Sequence, residues 1–403
     1  MSFAVVREVL FVFASSLYLF FVLRAFLAFA TTPRLGGVSP PPLHEWPKLS
    51  IVVAACNEVE TIEASVDSLL RVDYPNLQIV LVNDRSTDGT GALVDRLVAR
   101  DPRLSAVHVN ALPEGWLGKV HALARGLENA TGEWILFADA DIIFTQGVVE
   151  KAVTLAVRGE LDHLTAVPFV ETRSFVQTVA LSTFGVLLLG GIQKRRVRDP
   201  KADFAVGIGA FNLFRRATYD RSEGLEWLRL EVADDSGLAL VLKRAGGKSQ
   251  LWLGLSEISL LWYPSFRATV RGLEKNMFAI AGSYSVTQTL LVCASLSLVG
   301  AGPVAFSPVF FHSSTLVAAA FQAALAGAVA VSTLFLGIYT HFAERKFDAQ
   351  RLFASFFLPV GLCLSAFIVF RSMWVCVRQG AITWRGTRYP LEAMRRGQRI
   401  RAT

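Results

Sequence analysis

The sequence predicts an α/β domain with a mostly parallel sheet, flanked by apolar helices at both ends of the chain. Residues 45–270 alternate short apolar runs with amphipathic segments of helical length, which is the pattern of βαβ units. Residues 3–30 and the chain after about residue 286 hold the apolar excess that raises the hydrophobic fraction to 53%. We therefore expect one domain of soluble character with membrane segments on both sides of it.

Residues 1–30 are predicted to form an N-terminal transmembrane anchor. The apolar stretch 3–30 is longer than the roughly 20 residues that cross a hydrocarbon core. It is also too long for a signal peptide, contains Arg24 near its distal end and lacks a small-residue cleavage pattern. Residues 31–47 follow as a Pro/Gly linker, predicted to be an extended spacer without regular structure.

The α/β domain is predicted over residues 48–275, and several of its strands end in polar loops. The predicted strands are Leu49–Ala55, Leu77–Val82, Leu104–Val109, residues 132–139, Leu164–Val170 and Ala205–Phe214. The glycines of the last strand indicate either a close approach of the backbone to a ligand or a plain bend. Open α/β sheets bind ligands at the carboxyl ends of their strands, so we expect a site where these loops meet.

Two acidic residues, Asp139 and Asp141, directly follow the apolar strand at residues 134–138. Carboxylates one residue apart at a strand end form a hard-oxygen site that suits Mg²⁺ or Mn²⁺ together with a diphosphate.

A second acidic pair, Asp234 and Asp235, opens a predicted helix. Acids at a helix N-terminus complement the helix dipole, which accounts readily for one of them. A catalytic carboxylate is an equally good interpretation for the second.

Residues 175–198 are predicted to form an interfacial helix with a basic cluster at its end. The apolar run Phe175–Ile192 has only 18 residues and precedes Lys194, Arg195, Arg196 and Arg198. A membrane crossing here is the alternative, but it would divide one sheet between two compartments. A helix lying in the membrane interface fits better.

The C-terminal part is predicted to contain membrane segments over residues 286–377 and an arginine-rich tail over residues 378–403. Three apolar segments are expected, at Val286–Gly302, Thr315–Thr340 and Leu352–Phe370. With a cytoplasmic catalytic domain in a cell membrane, three full crossings would place the arginines outside, against the positive-inside rule. We therefore expect either that one segment is re-entrant or interfacial, with Val286–Phe311, the one interrupted by prolines, as the candidate, or that the rule is broken.

The net charge of +7 arises largely from the tail and from the cluster at residues 194–198. Both clusters follow apolar segments, which favours anionic lipid headgroups as partners over nucleic acid, for which no recognition motif accompanies the charge. Four scattered cysteines without CxxC spacing argue against a disulfide framework or a zinc site.

Five motifs in order give the chain a resemblance to membrane-anchored family 2 glycosyltransferases with the GT-A fold. They are Ala55-Cys56-Asn57-Glu58, residues 82–89 around Asp84, Gly118-Lys119, Asp139-Ala140-Asp141 and Asp234-Asp235. The loop at residues 115–119 and the motif at residues 384–389 most resemble bacterial enzymes that glycosylate lipids, of the hopene-associated and carotenoid type. The resemblance implies a Rossmann-like mixed sheet that binds a nucleotide-sugar.

The resemblance also implies roles for single residues. Asp84 would bind the nucleobase beside the backbone at Ala55, and Asn57, Glu58 and Lys119 would lie near the nucleotide. Asp141 would ligate Mn²⁺ or Mg²⁺, and Asp139 would help to hold ribose or metal. Asp235 would be the general base, assisted by Asp234.

One departure from the family pattern concerns the segment after the base. Processive and ceramide-type relatives carry a Gln/Arg-x-x-Arg-Trp motif, whereas this chain has Arg267 and Arg271 followed by Gly272. The missing Trp argues against polymer synthesis. Arg271 is a candidate for binding the diphosphate, and a surface arginine at the membrane edge is the equally good alternative.

The predicted function is metal-dependent, inverting transfer of one sugar from a nucleotide-sugar, with UDP as the expected nucleotide, to a lipid acceptor. A processive polysaccharide synthase is the alternative within the enzymes. A catalytically inactive membrane scaffold that retains the fold is the alternative outside them.

Overall fold

An eight-stranded mixed sheet forms the centre of the computed structural model, which describes residues 3–193, 196–197, 199–306, 316–343 and 348–401. The strands of this sheet are β1 (Leu49–Ala55), β2 (Leu77–Asp84), β3 (Leu104–Val109), β4 (Trp134–Asp139), β5 (Ile142–Phe144), β6 (His163–Val170), β7 (Asn212–Arg215) and β8 (Ser249–Leu260). Their order is β3-β2-β1-β4-β7-β6-β8-β5. Strands β3, β2, β1 and β4 are parallel, whereas β7 is antiparallel to both of its neighbours.

Helices cover both faces of this sheet and extend from it at both ends of the chain. The helices up to the last sheet strand are α1 (Phe3–Thr31), α2 (Ile62–Leu70), α3 (Thr90–Val98), α4 (Gly118–Asn129), α5 (Val148–Arg158), α6 (Phe175–Gly191), α7 (Arg216–Tyr219), α8 (Gly224–Trp227) and α9 (Asp234–Arg244). The later elements are α10 (Phe266–Ile280), α11 (Val286–Ala305), α12 (Leu316–Ala343), α13 (Ala349–Ser355), α14 (Leu358–Gln379), β9 (Ala381–Trp384), β10 (Thr387–Pro390) and α15 (Leu391–Gly397).

The first half of the sheet forms because its strands are apolar on both faces. Ile51 and Val53 of β1 pack in one core with α2, α3 and α5, whereas Val52 packs in a second core with α4 and α9. Strands buried on both faces are typical of parallel sheets covered by crossover helices. Strands β1 and β3 have the predicted boundaries, and the predicted α/β class with apolar helices at both chain ends is confirmed.

The strand predicted at Ala205–Phe214 is wrong over most of its length, because β7 covers only Asn212–Arg215. The backbone N–H groups before it bond to side chains instead of a neighbouring strand. Gly207 donates to Ser236 Oγ, Ile208 to Thr165 Oγ1 and Gly209 to Asp235 Oδ2. A Cβ on Gly207 would lie 1.9 Å from the carbonyl oxygen of Asp235, so glycine allows this close approach.

The linker at residues 31–47 is fastened to the α/β domain, and the expectation that it lacks regular structure is wrong at Leu35–Gly37, a short 3₁₀ helix. The carbonyl of Pro33 accepts a hydrogen bond from Leu253 N at 2.8 Å. Lys151 donates to the carbonyl of Leu35, whose side chain is buried. These bonds hold the anchor against strand β8.

Four helices within the described residues are long and apolar enough to cross a membrane, at Ala4–Thr31, Val286–Ala305, Ala318–Ile338 and Leu358–Gln379. The predicted segment Leu352–Phe370 is divided between α13 and α14. Helix α6 has 17 residues, packs against α1 and α14, and buries Gln177 and Thr183. Of the basic cluster behind it, Arg196 lies over the ring of Phe204, while Lys194, Arg195 and Arg198 fall outside the described residues.

The arginine-rich tail folds onto the α/β domain as the hairpin β9–β10 followed by α15. Arg395 donates to the carbonyl of Tyr284, and the backbone N–H of Arg399 donates to the buried carboxylate of Glu231. These two arginines are engaged by the protein, and lipid contact by the tail stays a prediction. Because the tail contacts the α/β domain, both lie on the same side of any membrane.

Candidate active site

The carboxyl ends of β1, β2 and β4 meet at one edge of the sheet, as predicted from their parallel order. This edge opens into a cavity of about 2180 Å³. All the predicted site residues line it: Ala55, Asn57, Glu58, Asp84, Lys119, Asp139, Asp141, Asp234, Asp235 and Arg271. The fold therefore brings together residues that are separated by up to about 200 positions in the sequence.

Lys119 lies between the two acidic pairs. Its Nζ is 2.8 Å from Asp139 Oδ1 and 3.8 Å from Asp234 Oδ2. Burial alone would lower the pKa of Lys119, but the two carboxylates outweigh burial and hold this pKa above its ordinary value. A Cβ on Gly209 would approach both Lys119 Nζ and Asp139, so this glycine leaves room for the pair.

Asp141 has no ion-pair partner among the described residues. Burial and the neighbouring charges of Asp139 and Glu58 raise the pKa of Asp141 to about 7. A carboxylate that is buried beside like charges is stabilised in its ionised form by a cation.

Asp235 lies in the first turn of α9 and accepts two backbone hydrogen bonds, from Gly209 N at 3.1 Å and from Ser236 N at 2.7 Å. Burial and the adjacent Asp234 raise the pKa of Asp235 to about 7, which lies in the range of an efficient general base at neutral pH. Burial also raises the pKa of Asp234, against the opposing charge of Lys119.

The predicted nucleobase-binding residue, Asp84, is buried and carries a bidentate ion pair with Arg85, at 2.7 and 2.8 Å. Nearby, Asn57 adopts a left-handed backbone and joins the two loops of the edge. Its N–H donates to Ser86 Oγ, and its Oδ1 accepts from Thr87 N. Through these bonds Asn57 positions a loop as well as lining the cavity. Ala55 is buried on β1.

Arg271 lies exposed on α10 and lines the cavity, and within the described residues it has no ion-pair partner. One turn further along α10 is Lys275, which sequence reasoning used only as a domain boundary. Its Nζ lies 3.8 Å from the ring centroid of Trp384. Burial and the positive charges of Lys119 and Arg385 lower the pKa of Lys275 to about 7.

The hairpin β9–β10 is the part of the site that sequence reasoning missed. Arg385 forms an ion pair with Glu58, Thr387 Oγ1 accepts from Arg85 at 3.4 Å, and the hydroxyl of Tyr389 accepts from Gly118 N at 3.2 Å. The signal was present as β-branched and aromatic residues on both sides of Arg385-Gly386, a two-residue hairpin turn in which both residues have positive φ.

The acidic residues fit a divalent cation of the predicted kind. No cluster of three or more His, Cys, Asp or Glu side chains suited to a metal occurs in the described part of the chain. Mg²⁺ is, however, commonly held by one or two carboxylates together with the phosphates of a substrate. Asp139 and Asp141 supply these two carboxylates, and the raised pKa of Asp141 reflects negative charge that a cation would offset.

Comparisons with known proteins agree with this architecture. Residues 50–222 match the family described as "Glycosyl transferase family 2". An uncharacterized glycosyltransferase of Haemophilus influenzae is 31% identical over 124 residues, which cover 31% of this chain and 36% of that protein. A GalNAc(5)-diNAcBac-PP-undecaprenol beta-1,3-glucosyltransferase of Campylobacter jejuni is 28% identical over 113 residues, which cover 28% of this chain and 36% of that protein.

Among solved structures, the mannosyltransferase PcManGT from Pyrobaculum calidifontis, in complex with GDP-Man and Mn²⁺, aligns with a TM-score of 0.54. The alignment covers 90% of this chain and 98% of that chain at 19% sequence identity, a level at which the likeness concerns the fold. The chain spans about a third of the length of the curated relatives it matches.

Residues 50–222 therefore match a family 2 glycosyltransferase domain, and the mixed sheet has the predicted GT-A-like fold. The predicted enzyme class, glycosyltransferase, is confirmed at the level of this domain. The resemblance to hopene-associated and carotenoid-type enzymes stays a prediction.

Proposed function

We propose that this protein transfers one sugar from a nucleotide-sugar to the head group of a membrane lipid. The observation that carries this proposal is the mixed lining of the cavity. The carboxylates of Asp139, Asp141 and Asp235 form part of this lining, and apolar residues of α6, α12 and α14, among them Leu187, Leu336 and Leu358, form another part. Helices α12 and α14 are two of the four that could cross a membrane.

The polar part of the lining suits a nucleotide-sugar. In this proposal Asp84 and the backbone at Ala55 receive the nucleobase, and Asn57, Glu58, Lys119 and Asp139 lie along the ribose and diphosphate. A divalent ion at Asp139 and Asp141, Mn²⁺ or Mg²⁺, would neutralise charge that develops on the departing diphosphate. The relatives named above support the donor class, since all of them are described as sugar transferases.

The proton chemistry is assigned to the second acidic pair. Asp235 removes the proton from the acceptor hydroxyl as that oxygen attacks the anomeric carbon, and the bond to the diphosphate breaks on the opposite side. One such displacement inverts the configuration of the sugar. Asp234, held near Lys119, keeps the local charge that raises the pKa of Asp235 into the useful range.

The apolar part of the lining suits an acceptor that is anchored in a bilayer. A lipid can keep its chains among α6, α12 and α14 while its head group reaches the carboxylates, so only the polar part leaves the membrane. We place the catalytic domain on the cytoplasmic face of the cell membrane, where nucleotide-sugars are made. This assignment also puts the arginines of the tail on the cytoplasmic side, in accord with the positive-inside rule.

Two contacts on either side of α14 support an assignment of the membrane crossings. Before this helix, Arg351 donates to the carbonyl of Val170 on strand β6, and behind it the hairpin β9–β10 packs on the same domain. Since both ends of α14 are held by the α/β domain, we assign α14 as the helix that does not cross. This replaces the expectation that Val286–Phe311 is the re-entrant segment, of which residues 307–311 lie outside the described residues.

The proposal is tested by incubating the purified protein in lipid nanodiscs with radiolabelled UDP-sugars, GDP-mannose and Mn²⁺. We expect label to enter the organic phase with one sugar per lipid, and to be lost when EDTA is added. A product ladder of many sugars would identify a processive synthase instead. Nucleotide binding without any turnover, across bacterial lipid extracts, would identify a scaffold.

A further inference from the structure

We propose that the C-terminal hairpin β9–β10 is part of the donor site and that Lys275 and Arg385 bind the diphosphate of the nucleotide-sugar. This inference rests on the proposed function and adds residues that lie at least 40 positions beyond the acidic pair at Asp234 and Asp235. It extends the catalytic unit past residue 275, where the sequence analysis ended it.

The first observation is that three side chains of the hairpin each contact a different loop of the proposed donor site. Arg385 pairs with Glu58 after β1, Thr387 contacts Arg85 after β2, and Tyr389 accepts from Gly118 at the start of α4. These three loops surround the position assigned to the nucleotide. A hairpin with a purely structural role would not need to touch all three of them.

The second observation is the environment of Lys275. Its ammonium lies over the Trp384 ring, and among the described residues no carboxylate is within ion-pairing distance of it. Two of the charged groups around it, Lys119 and Arg385, are positive. The two negative groups, Asp139 and Asp234, already form ion pairs with Lys119. A partly buried cation without a counterion is costly, and an anionic ligand would remove that cost.

The third observation is the arrangement of positively charged side chains around the cavity. Arg271, Lys275 and Arg385 all line the same cavity as Asp139 and Asp141. A diphosphate placed between a divalent ion on the two carboxylates and these three cations would have its charge compensated from both sides. Trp384 then acts as a positioning residue, because its ring holds the Lys275 ammonium by a cation–π contact.

The test compares binding of UDP, GDP, UMP and uridine to the full-length protein by calorimetry with Mn²⁺ present. We expect Lys275→Met to weaken binding of the diphosphate by about 10- to 100-fold, as for loss of a hydrogen bond to a charged group. Binding of uridine should not change, and binding of UMP should change less than that of UDP. Trp384→Leu should weaken UDP by about 2- to 5-fold, and Trp384→Phe should restore most of this loss.

Two matched variants control for the loss of positive charge. Lys248 forms an exposed ion pair with Glu160, and Arg396 lies on the exposed face of α15 in the same tail. Lys248→Met and Arg396→Met are expected to bind UDP as the unmutated protein does.

Equal UDP affinity in Lys275→Met, Arg385→Met and the unmutated protein would overturn this inference and leave the proposed function standing. Equal weakening of uridine and UDP would also overturn it, since the effect would then be structural. Failure of the unmutated protein to bind any of the nucleotides would overturn the proposed function together with this inference.

Discussion

The two acidic pairs of the site differ in their local structure, but in each pair one carboxylate lies close to Lys119 and the other does not. Asp139 and Asp141 follow a buried strand, whereas Asp234 and Asp235 begin a helix. In each pair one carboxylate lies within 4 Å of Lys119, and the other has a pKa raised to about 7. One ammonium thus serves two acids and leaves two others protonatable near neutral pH.

The contacts of Lys119 explain how four acidic side chains can lie close together in one site. Four ionised carboxylates close together would repel strongly in a medium of low dielectric constant. Lys119 offsets the charge of two of them, and the remaining two can bind a cation or a proton. The following predictions test whether Asp141 and Asp235 are the two that act in the reaction.

The largest effect is expected for Asp235→Asn, which keeps the shape of the side chain and removes its basicity. We predict that kcat falls by about 10²- to 10⁴-fold, the usual contribution of a general base. UDP affinity should stay within about twofold, because the nucleotide is assigned to the other pair. Sugar transfer in nanodiscs and calorimetry with UDP measure the two effects, and a kcat within about threefold of the unmutated value would contradict the base assignment.

The next effect is expected for Asp141→Asn, which removes one of the two carboxylates proposed for the metal. We predict that the gain in UDP affinity on adding Mn²⁺ falls by at least about tenfold, or about 1.4 kcal/mol. Asp95→Asn, at an exposed carboxylate that contacts His108, is the control and should keep the full gain. An unchanged dependence on Mn²⁺ in Asp141→Asn would place the metal elsewhere.

A smaller effect is expected for Lys119→Met, which leaves Asp139 and Asp234 without their shared cation. We predict that the free energy of unfolding falls by about 1–3 kcal/mol at pH 8, after allowance for partial exposure of the pair. The loss should be smaller at pH 6. Without the ammonium, which opposes the raised pKa of Asp234, the folded-state pKa of this acid rises further, so the stability that protonation supplies is present at low pH and lost as the pH increases.

Thermal unfolding of Lys119→Met at pH 6 and pH 8 measures this difference. Lys248→Met is the control and should lose little stability at either pH. A loss that is larger at pH 6 than at pH 8 would show that Lys119 does not offset the charge of these acids.

The smallest effect is a shift in the pH dependence of kcat. Since the pKa of Asp235 is raised to about 7, the ionised base forms as the pH rises, and kcat should increase between pH 5.5 and pH 8. In Asp234→Asn the midpoint of this increase should move to lower pH, because the charge of Asp234 contributes to the raised pKa. A pH–rate profile of both proteins measures the shift, and a midpoint that moves to higher pH would contradict the coupling.

The part of the site on the parallel strands could be predicted from the sequence, because local pattern determines it. Apolar runs bounded by polar loops predicted β1 and β3 with their observed boundaries, and parallel order then placed Asp84 and Asp139 at one edge. Their roles in binding remain predictions.

The rest of the site depends on long-range packing that no local pattern reveals. Residues 205–211 look like a strand, but the N–H groups at positions 207–209 bond to the side chains of Ser236, Thr165 and Asp235. The arginines of the tail resemble a lipid-binding segment, yet Arg385 pairs with Glu58, 327 positions earlier. Only the folded chain shows that a basic C-terminus belongs to an acidic cavity.

The linker between helix α1 and the sheet fixes the distance between them. Pro33 bonds to Leu253 directly after α1 ends, and Arg158 donates to the carbonyls of Pro41 and Pro42 further along. A free linker of this length would let the catalytic domain rise and tilt above a bilayer, whereas this one fixes its height. For the proposed transfer to lipids, we therefore expect the reach of the acceptor's head group, more than its chemical identity, to decide which lipids receive the sugar.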